Sequence, residues 1–450
     1  MNILVLNGSP KGKNSVTLQT SLFWQKKFPE HEFEFLNAAS RIKAFEKDFS
    51  TAKLALEKAE LVIFSYPVYT FLAPYQLHRF IELMKENDVS LKGKFATQIS
   101  TSKHFFDITA HKYIEENCYD LDAKYIVGLS ADMEDLLESK GREQAVNFFE
   151  KLIFDIDNDI YLTISNKKEK TKKPVYQTSL KEVEKTGKKD VLIVTNVADE
   201  DINLKNMIAD FKASSKNPVR EINIRKFKFS GGCLGCMNCS TTAKCIYKDG
   251  FDDYLRNEIQ NSDSIVYAYT IENHYTHSSF KCYDDRQFCN GHRSVTHGMS
   301  VAYIISGDYQ NEPNVQTLVR GRSDVGGVYL AGVATDEFDT ASEIKKLALS
   351  LEYCLENEMD KPETFYGVGG TKIFRDLVYL MQGMMKADHK YYKKNGIYDF
   401  PQKKKMKIMQ MKLIGSLMSN QAVRKKMKGS MSDFILMPYT KIIEEANENK

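Results

Sequence analysis

The sequence predicts an α/β protein with two doubly wound parallel sheets of five strands each, arranged in tandem and followed by a basic, Met-rich helical extension. Short runs rich in Val, Ile and Leu alternate with amphipathic helical stretches, which is typical of parallel sheets covered by helices on both faces. The alternation restarts after residue 188. A Lys-rich polar stretch without apolar periodicity, residues 165–189, lies between the two series and is typical of a linker.

Each series contains five predicted strands. Those of the first series are Asn2–Leu6, Phe33–Leu36, Leu61–Ser65, Phe95–Ser100 and Tyr125–Leu129. Those of the second series are Asp190–Thr195, Glu221–Ile224, Ser264–Thr270, Ser300–Ser306 and Val328–Ala334. A helix is predicted at Pro74–Lys85, where the apolar residues recur at helical spacing. The predicted domains are therefore 1–164, a linker at 165–189, a second domain at 190–360 and the helical extension at 361–450.

The amino-acid composition and net charge argue against several classes of protein. Of the 450 residues, 42% are hydrophobic and 27% are charged, as in ordinary globular proteins, and the net charge of +3 argues against a nucleic-acid partner. The chain begins with an apolar strand-like run, Ile3–Leu6, rather than a signal peptide, and no run approaches the ~18 apolar residues of a membrane span. We therefore expect a cytoplasmic protein whose eight cysteines are reduced.

The loop after the first strand has the parts of a phosphate cradle. It reads Asn-Gly-Ser-Pro-Lys-Gly-Lys-Asn-Ser-Val-Thr over residues 7–17, and it combines glycines, hydroxyls and lysines with the expected start of a helix. The alternative is a tight turn in which a serine caps the helix. If the loop binds phosphate, the candidate residues are Ser9, Pro10, Lys11, Asn14, Ser15, Val16 and Thr17.

The loop after the third strand favours a flat ligand. Residues 65–74 contain an aromatic segment between two prolines, and a ring bound against Tyr69 and Phe71 would explain why such residues occur at the end of a strand. A third wall follows the fourth strand at residues 100–106. The candidate ring-binding residues are Pro67, Val68, Tyr69, Thr70, Phe71, Thr101 and Ser102.

Together, these loops resemble the NAD(P)H-dependent FMN reductase branch of the flavodoxin-like superfamily. In that family an Asn-Gly-Ser-Pro loop holds the FMN phosphate and a Pro-Val-Tyr loop lies along the isoalloxazine. The third loop departs from the family pattern, because it carries His104, Phe105 and Phe106 where glycines are usual. The second series carries three carboxylates at 199–201 in place of a phosphate loop, and each would repel a phosphate dianion by about 1 kcal/mol or more. We expect one FMN per chain.

Four cysteines in the second series form the pattern C-x2-C-x2-C-x5-C at Cys233, Cys236, Cys239 and Cys245. Three thiolates at two-residue spacing suit corners of a cubane iron–sulfur cluster, whereas structural zinc more often uses two separated C-x2-C pairs. The pattern favours an iron–sulfur cluster, and a zinc site or four free thiols remain the alternatives. A second metal site is not favoured at Cys282, Cys289, His292 and His297.

The residues around this pattern resemble the iron–sulfur flavoproteins of anaerobic microbes. The resemblance lies in Phe229–Gly232, Lys248–Asp253, Lys281 and Asp285–Arg286, and a second part covers residues 374–401. It implies a 4Fe–4S cluster bound by the four cysteines. In that family the cluster of one subunit serves the flavin of its neighbour, and a tandem chain can build the same arrangement internally. The loop at 66–71 is then expected to face the cysteine loop at 233–245.

The predicted function is therefore that of a flavin-dependent oxidoreductase that moves electrons between NAD(P)H or another reduced donor, FMN and the cluster. No individual catalytic residue is assigned. NAD(P)H is expected to bind transiently over the flavin, since no Gly-rich dinucleotide fingerprint is present. Small molecules or proteins are the expected electron partners, and a homodimer is a further hypothesis. The alternative is a non-enzymatic sensor or scaffold with a zinc or regulatory cluster site.

The stretch at residues 403–428 has nine Lys or Arg and no acid, interleaved with Met, Leu and Ile. A basic amphipathic helix of this kind can lie on an anionic membrane surface as a peripheral contact, or it can cap a partner. The alternative is a helix that packs its Met face onto the protein's own body, because methionine fills irregular gaps well.

Overall fold

The computed structural model of the protein describes residues 1–162, 175–419 and 422. The chain divides into two compact units, Met1–Tyr391 and Tyr392–Lys450. The first unit contains both predicted sheets, and their doubly wound α/β architecture confirms the predicted fold class.

The first sheet is parallel. Its strands are β1 (Asn2–Asn7), β2 (Glu32–Leu36), β3 (Leu61–Pro67), β4 (Phe95–Ser102), β5 (Lys124–Tyr125) and β6 (Leu129–Asp132). Its helices are α1 (Val16–Lys27), α2 (Ile42–Phe45), α3 (Ser50–Lys58), α4 (Tyr75–Glu86), α5 (Asp107–Asp120) and α6 (Ser139–Asp157). The strands run in the order β2-β1-β3-β4-β5, with β6 also paired to β4.

The last strand of this sheet is interrupted, so the prediction of one strand at Tyr125–Leu129 was wrong in detail. The chain forms two short segments beside β4 instead of one. Between them, Gly128 lies so close to Gln98 of β4 that a Cβ atom would be 2.3 Å from the Gln98 side chain and 2.4 Å from its carbonyl oxygen. This close approach replaces regular strand pairing at 126–128 and raises the strand number from five to six.

The second sheet has the five strands that were predicted, with ends that differ by one or two residues. They are β7 (Val191–Thr195), β8 (Val219–Asn223), β9 (Ser264–Thr270), β10 (Ser300–Ser306) and β11 (Tyr329–Thr335). The helices are α7 (Ile202–Ser214), α8 (Asn238–Thr242), α9 (Phe251–Tyr254), α10 (Ser278–Arg286), α11 (Pro313–Gly326) and α12 (Thr340–Glu356). The strand order, β8-β7-β9-β10-β11, repeats that of the first sheet.

Corresponding helices of the two sheets pack on each other. The helix after each third strand pairs with its counterpart, α4 with α10, and the helix after each fourth strand does the same, α5 with α11. The Glu82 carboxylate accepts hydrogen bonds from the backbone N–H and hydroxyl of Ser278, both at 2.6 Å. One continuous hydrophobic cluster fills the space between the sheets, and smaller clusters cover their outer faces.

The described part of the predicted linker, residues 175–189, contains no helix or strand and is attached to α7. Asp210 of α7 accepts hydrogen bonds from the Tyr176 hydroxyl and, at 3.0 Å, from the Ser179 backbone N–H. Tyr176 and Leu180 also pack against the outer core of the second sheet. These fifteen residues therefore lie along the second half of the protein.

The C-terminal region is helical, as predicted. It contains α13 (Phe365–Leu380), α14 (Lys386–Lys394) and α15 (Lys405–Ser419). Of the basic stretch predicted at 403–428, residues 420, 421 and 423–428 lie outside the described part of the chain. No helix within the described residues is both long enough and apolar enough to cross a bilayer.

Candidate functional site

A cavity of about 250 Å³ lies at the carboxyl ends of β1, β3 and β4. This is the edge at which doubly wound sheets bind ligands. Eleven of the fourteen residues predicted to bind FMN line it: Ser9, Lys11, Ser15, Val16, Thr17, Pro67, Val68, Tyr69, Thr70, Thr101 and Ser102. The cavity therefore brings together all three loops that the sequence singled out.

Pro10, Asn14 and Phe71 do not reach the cavity wall. Asn14 is exposed to solvent, and Phe71 is only 8% exposed because it packs against Phe105 and Phe106, with ring centroids 4.9 and 4.2 Å away. The backbone explains the position of Phe71. Thr70 and Phe71 both have positive φ, 42° and 72°, so the chain turns back and directs the phenyl ring into the core.

The part of the cavity beside α1 suits an anionic group. Ser15 caps α1, since its hydroxyl accepts a hydrogen bond from the Leu18 N–H at 3.3 Å. The buried hydroxyl oxygens of Thr17 and Ser102 have no hydrogen-bond partner among the described residues. Two hydroxyls free to bind a ligand, next to a helix N-terminus, form a site that complements a phosphate.

The ring-loop, residues 67–72, forms a tight turn at the end of β3. The Tyr69 N–H donates to the Leu72 carbonyl at 2.7 Å, and the Leu72 N–H donates back to Tyr69 at 3.0 Å. Burial raises the pKa of the Tyr69 hydroxyl well above its usual value, and Cys233 and Asp285 add to the shift. The hydroxyl therefore remains protonated and can donate a hydrogen bond.

A buried ion pair from the second half holds the ring-loop. Lys281 and Asp285 of α10 are paired and have no exposed side-chain surface. The Lys281 ammonium donates to the Tyr69 carbonyl at 3.0 Å and to the Thr70 hydroxyl oxygen at 2.8 Å, while Asp285 accepts from the Tyr75 N–H at 2.7 Å. Burial lowers the pKa of Lys281 and raises that of Asp285, because desolvation penalises each charge and their mutual attraction opposes both shifts.

Arg322 of α11 gives the ring-loop a second support. Its guanidinium donates to the Thr70 carbonyl at 3.1 Å and to the Asp284 carboxylate at 2.9 Å, and it lies 5.7 Å from the centroid of the Phe71 ring. A non-glycine residue in the left-handed region costs about 1–3 kcal/mol, so such a turn persists only where its surroundings fix it. The second half of the protein supplies those contacts.

The cysteine loop, residues 233–245, lines the same cavity with all four of its cysteines. Met237, Ala243 and Gly235 have positive φ, which folds these thirteen residues into a compact turn. A Cβ atom at position 235 would lie 1.8 Å from the Tyr69 hydroxyl oxygen, so only glycine permits the approach. The two loops that were expected to face each other meet at this contact.

Arg286 is a charged group close to the cysteine loop. It is 2% exposed, and its guanidinium makes two hydrogen bonds to Asp249 and lies 4.0 Å from the Cys245 sulfur. Burial raises the pKa of the Cys233 and Cys239 thiols, which is the opposite of what an activated nucleophile requires.

Several wall residues were not predicted from sequence. Asp285, Phe288, Cys289 and His292 line the cavity from the second half. Phe374 and Leu377 of α13, with Met381 directly after that helix, complete it. Lys281 and Asp285 belong to the resemblance noted above, but the only physical sign that they form a pair is their i,i+4 spacing on a helix, which also occurs in ordinary surface salt bridges. Cys282 is buried outside the cavity wall.

A separate charged cluster joins the two halves away from the cavity. His274 Nδ1 lies 3.0 and 3.2 Å from the two Glu312 oxygens and 3.7 Å from Glu116, and its Nε2 lies 3.3 Å from Asp120. Burial opposes the charge on His274, but hydrogen bonds to Asp120 and Glu312 outweigh it and raise its pKa to about 9. Burial also raises the pKa of Glu116 to about 7, with help from Glu312 and against the effect of His274.

This cluster predicts that alkaline pH weakens the protein. Both pKa values are raised in the folded state, so their stabilisation is complete at low pH. The Glu116 contribution is lost between about pH 4.5 and 7, and the His274 contribution between about pH 6.5 and 9. We expect the wild type to lose roughly 3 kcal/mol more unfolding free energy than His274→Gln between pH 6.5 and 9. Urea unfolding at the two pH values measures this difference. The exposed control His297→Gln should lose as much unfolding free energy as the wild type. An equal loss of unfolding free energy in His274→Gln and the wild type would contradict the prediction.

The first part of the chain is similar in sequence to a known fold family. A family model for the flavodoxin-like fold matches residues 1–115. No curated protein is similar enough to count as a match.

Solved structures match about a third of the chain. General stress protein 14 from Treponema denticola, in complex with FMN, is 11% identical and covers 34% of this chain and 98% of its own, with a TM-score of 0.29. An FMN-dependent NADH-azoreductase from Bacillus anthracis, in complex with FMN, is 13% identical over the same shares, with a TM-score of 0.27. An NADPH-quinone reductase from P. pentosaceus is 15% identical and covers 34% and 95%, with a TM-score of 0.27.

Proposed function

We propose that this protein is a flavin-dependent oxidoreductase that binds FMN in its first half and a 4Fe–4S cluster in its second half. In this proposal NAD(P)H or another reduced donor supplies electrons, and the two centres exchange them. The observation that carries the proposal is the shared cavity. A phosphate-type loop, a turn suited to a flat ring and four cysteines all line one space of about 250 Å³.

The residues of the first half fit FMN. The unpartnered hydroxyls of Thr17 and Ser102, with the N-terminus of α1, would hold the phosphate. Val68, Tyr69 and Thr70 would flank the ring. FMN accepts electrons in pairs and releases them one at a time, which suits a one-electron neighbour. The protein's own part is to hold the ring-loop beside the cysteine loop.

The cysteine sulfurs are not gathered as closely as a tetrahedral zinc site requires. In a tetrahedral site with Zn–S bonds of about 2.3 Å, the sulfurs lie about 3.8 Å apart. Among the described residues, which include all eight cysteines, the only group of three or more metal-binding side chains with donor atoms within 4.8 Å of one another is Glu116, His274 and Glu312. In a cubane cluster each thiolate binds a different iron atom, so wider separation is expected.

The internal organisation supports a tandem arrangement of the kind implied by the resemblance to iron–sulfur flavoproteins. Both sheets have the same strand order, and corresponding helices pack together between them. We therefore retain the domains 1–164 and 190–360, joined by 165–189 and followed by 361–450, as the proposed organisation. The first domain would supply the flavin and the second the cluster, within one pseudo-dimeric unit.

Analysis of the anaerobically purified full-length protein tests the proposal. We expect flavin absorption bands together with a broad brown shoulder, and about four iron and four sulfide per FMN. A colourless protein that contains zinc would contradict the proposal and support the non-enzymatic alternative. A protein with flavin but neither iron nor sulfide would contradict the cluster and leave the FMN site intact.

The proposed phosphate-binding part of the cavity can be tested by substituting Thr17. We expect Thr17→Asp to weaken FMN binding about 100-fold, since a carboxylate would replace a hydroxyl where the phosphate dianion is expected. The helix itself should tolerate the change, because acidic residues are favoured in the first turn. Flavin-fluorescence titration gives the dissociation constant.

Two controls separate charge from shape in this experiment. Thr17→Val removes only the hydroxyl and should weaken binding by about tenfold or less. Gln25→Glu adds the same charge near the C-terminal end of α1, outside the cavity wall, and should leave FMN binding unchanged. Unchanged affinity in Thr17→Asp would show that the phosphate binds elsewhere.

A further inference from the structure

The apolar side chains at the start of α15 are exposed. Met406 is 87% exposed, Met409 64% and Leu413 60%, and Met411 and Ile408 are 54% and 41% exposed. Every described residue from Lys405 to Leu413 is classed as exposed. These exposures leave apolar side chains of this Met-rich helix accessible to solvent.

The helix also carries an unbalanced positive charge. Residues 403–413 contain five lysines and no acidic residue. At 100° per residue, Met406, Met409 and Leu413 form one apolar stripe with Lys405 and Lys412 beside it, while Ile408 and Met411 lie on the other side of the helix. Long lysine side chains in such positions can extend away from an apolar surface while their methylene stems remain on it.

We propose that this helix, residues 405–414, binds the surface of a membrane that contains anionic phospholipids. The apolar stripe would enter the boundary between headgroups and acyl chains, and the flanking lysines would contact the lipid phosphates. The proposal does not depend on the flavin or the cluster, because it rests on the exposure and charge of this helix alone.

Two other occupants suit the helix less well. A second copy of the same helix would bring five lysines against five lysines, and within residues 403–413 no acid offsets that repulsion. A nucleic acid would pair with the lysines, but it would leave the methionine and leucine stripe in water. Of these three occupants, an anionic lipid surface is the one that satisfies both the charges and the apolar side chains.

Co-sedimentation of the full-length protein with vesicles tests the proposal. We expect binding to phosphatidylcholine vesicles that contain about 30 mol % phosphatidylglycerol, and at least tenfold weaker binding to pure phosphatidylcholine. Lys405→Glu/Lys412→Glu should lower binding at least tenfold, as should Met406→Ser/Met409→Ser/Leu413→Ser. The matched control Lys345→Glu/Lys346→Glu changes two exposed lysines on α12 and should bind like the wild type.

The other outcomes overturn the proposal. Equal binding of the wild type and the Lys405→Glu/Lys412→Glu variant would show that this helix does not contact the lipid. No vesicle binding, with a dimer in sedimentation analysis that the Met/Leu→Ser variant abolishes, would assign the stripe to a second copy. No vesicle binding, with tight binding to single-stranded RNA that the serine variant retains, would assign the lysines to nucleic acid.

Discussion

Replacing Asp285 by asparagine is expected to lower the free energy of unfolding by about 3–5 kcal/mol, because it leaves the Lys281 ammonium buried without its counter-charge. Asparagine keeps the shape of the side chain and can still accept the Tyr75 N–H hydrogen bond. The loss therefore reports on charge rather than on packing. Urea denaturation at neutral pH measures it, with the exposed Asp253→Asn as the control that should change stability by less than about 0.5 kcal/mol.

A double variant separates the contribution of the Lys281–Asp285 pair to protein stability from its contribution to FMN binding. Lys281→Met/Asp285→Leu removes both charges and should recover most of the lost stability. It also removes the hydrogen bonds to Tyr69 and Thr70, so we expect FMN binding to remain at least about tenfold weaker than in the wild type. Wild-type FMN affinity in this double variant would show that the ion pair does not position the ring-loop.

Replacing Cys233 by serine is expected to remove most of the iron from the protein while FMN remains bound. A cluster needs all of its thiolates, and serine is a poor substitute for a soft ligand. Iron and sulfide analysis of anaerobic preparations measures the loss. Cys354→Ser is the matched control, since Cys354 is a buried cysteine on α12 that should leave the iron content unchanged.

The fourth ligand can be checked in the same way. Cys245→Ser should also lose its iron. Full iron content in that variant would exclude Cys245 and favour Cys289, which is buried and lines the cavity with the other cysteines.

The fold could be predicted from sequence because its signals are local. A strand buried on both faces, such as β1 with Ile3–Leu6 all at 0–1% exposure, requires a continuous apolar run, and such runs are visible without a structure. The interrupted edge at 126–128 was not visible. It depends on how closely Gly128 approaches Gln98, thirty residues earlier, and no local pattern encodes that contact.

The same distinction applies to the site. The phosphate loop and the cysteine pattern each lie within a dozen or so consecutive residues, so their spacing shows their chemistry. Phe71 appeared to belong to the ring site because it is an aromatic residue in an aromatic loop. Its actual direction follows from a turn that Lys281 and Arg322 support from more than two hundred residues away. Sequence spacing carries no information about such a support.

The pairing of α4 with α10 and of α5 with α11 has a consequence for synthesis on the ribosome. Each of α4 and α5 is made roughly two hundred residues before its partner, α10 or α11, begins. At a translation rate of about 5–20 residues per second, the apolar faces of α4 and α5 stay exposed for on the order of 10–40 s before their partner helices are synthesised. During that interval the nascent chain presents a surface for premature association, and slow codons between α5 and α10 would prolong the exposure.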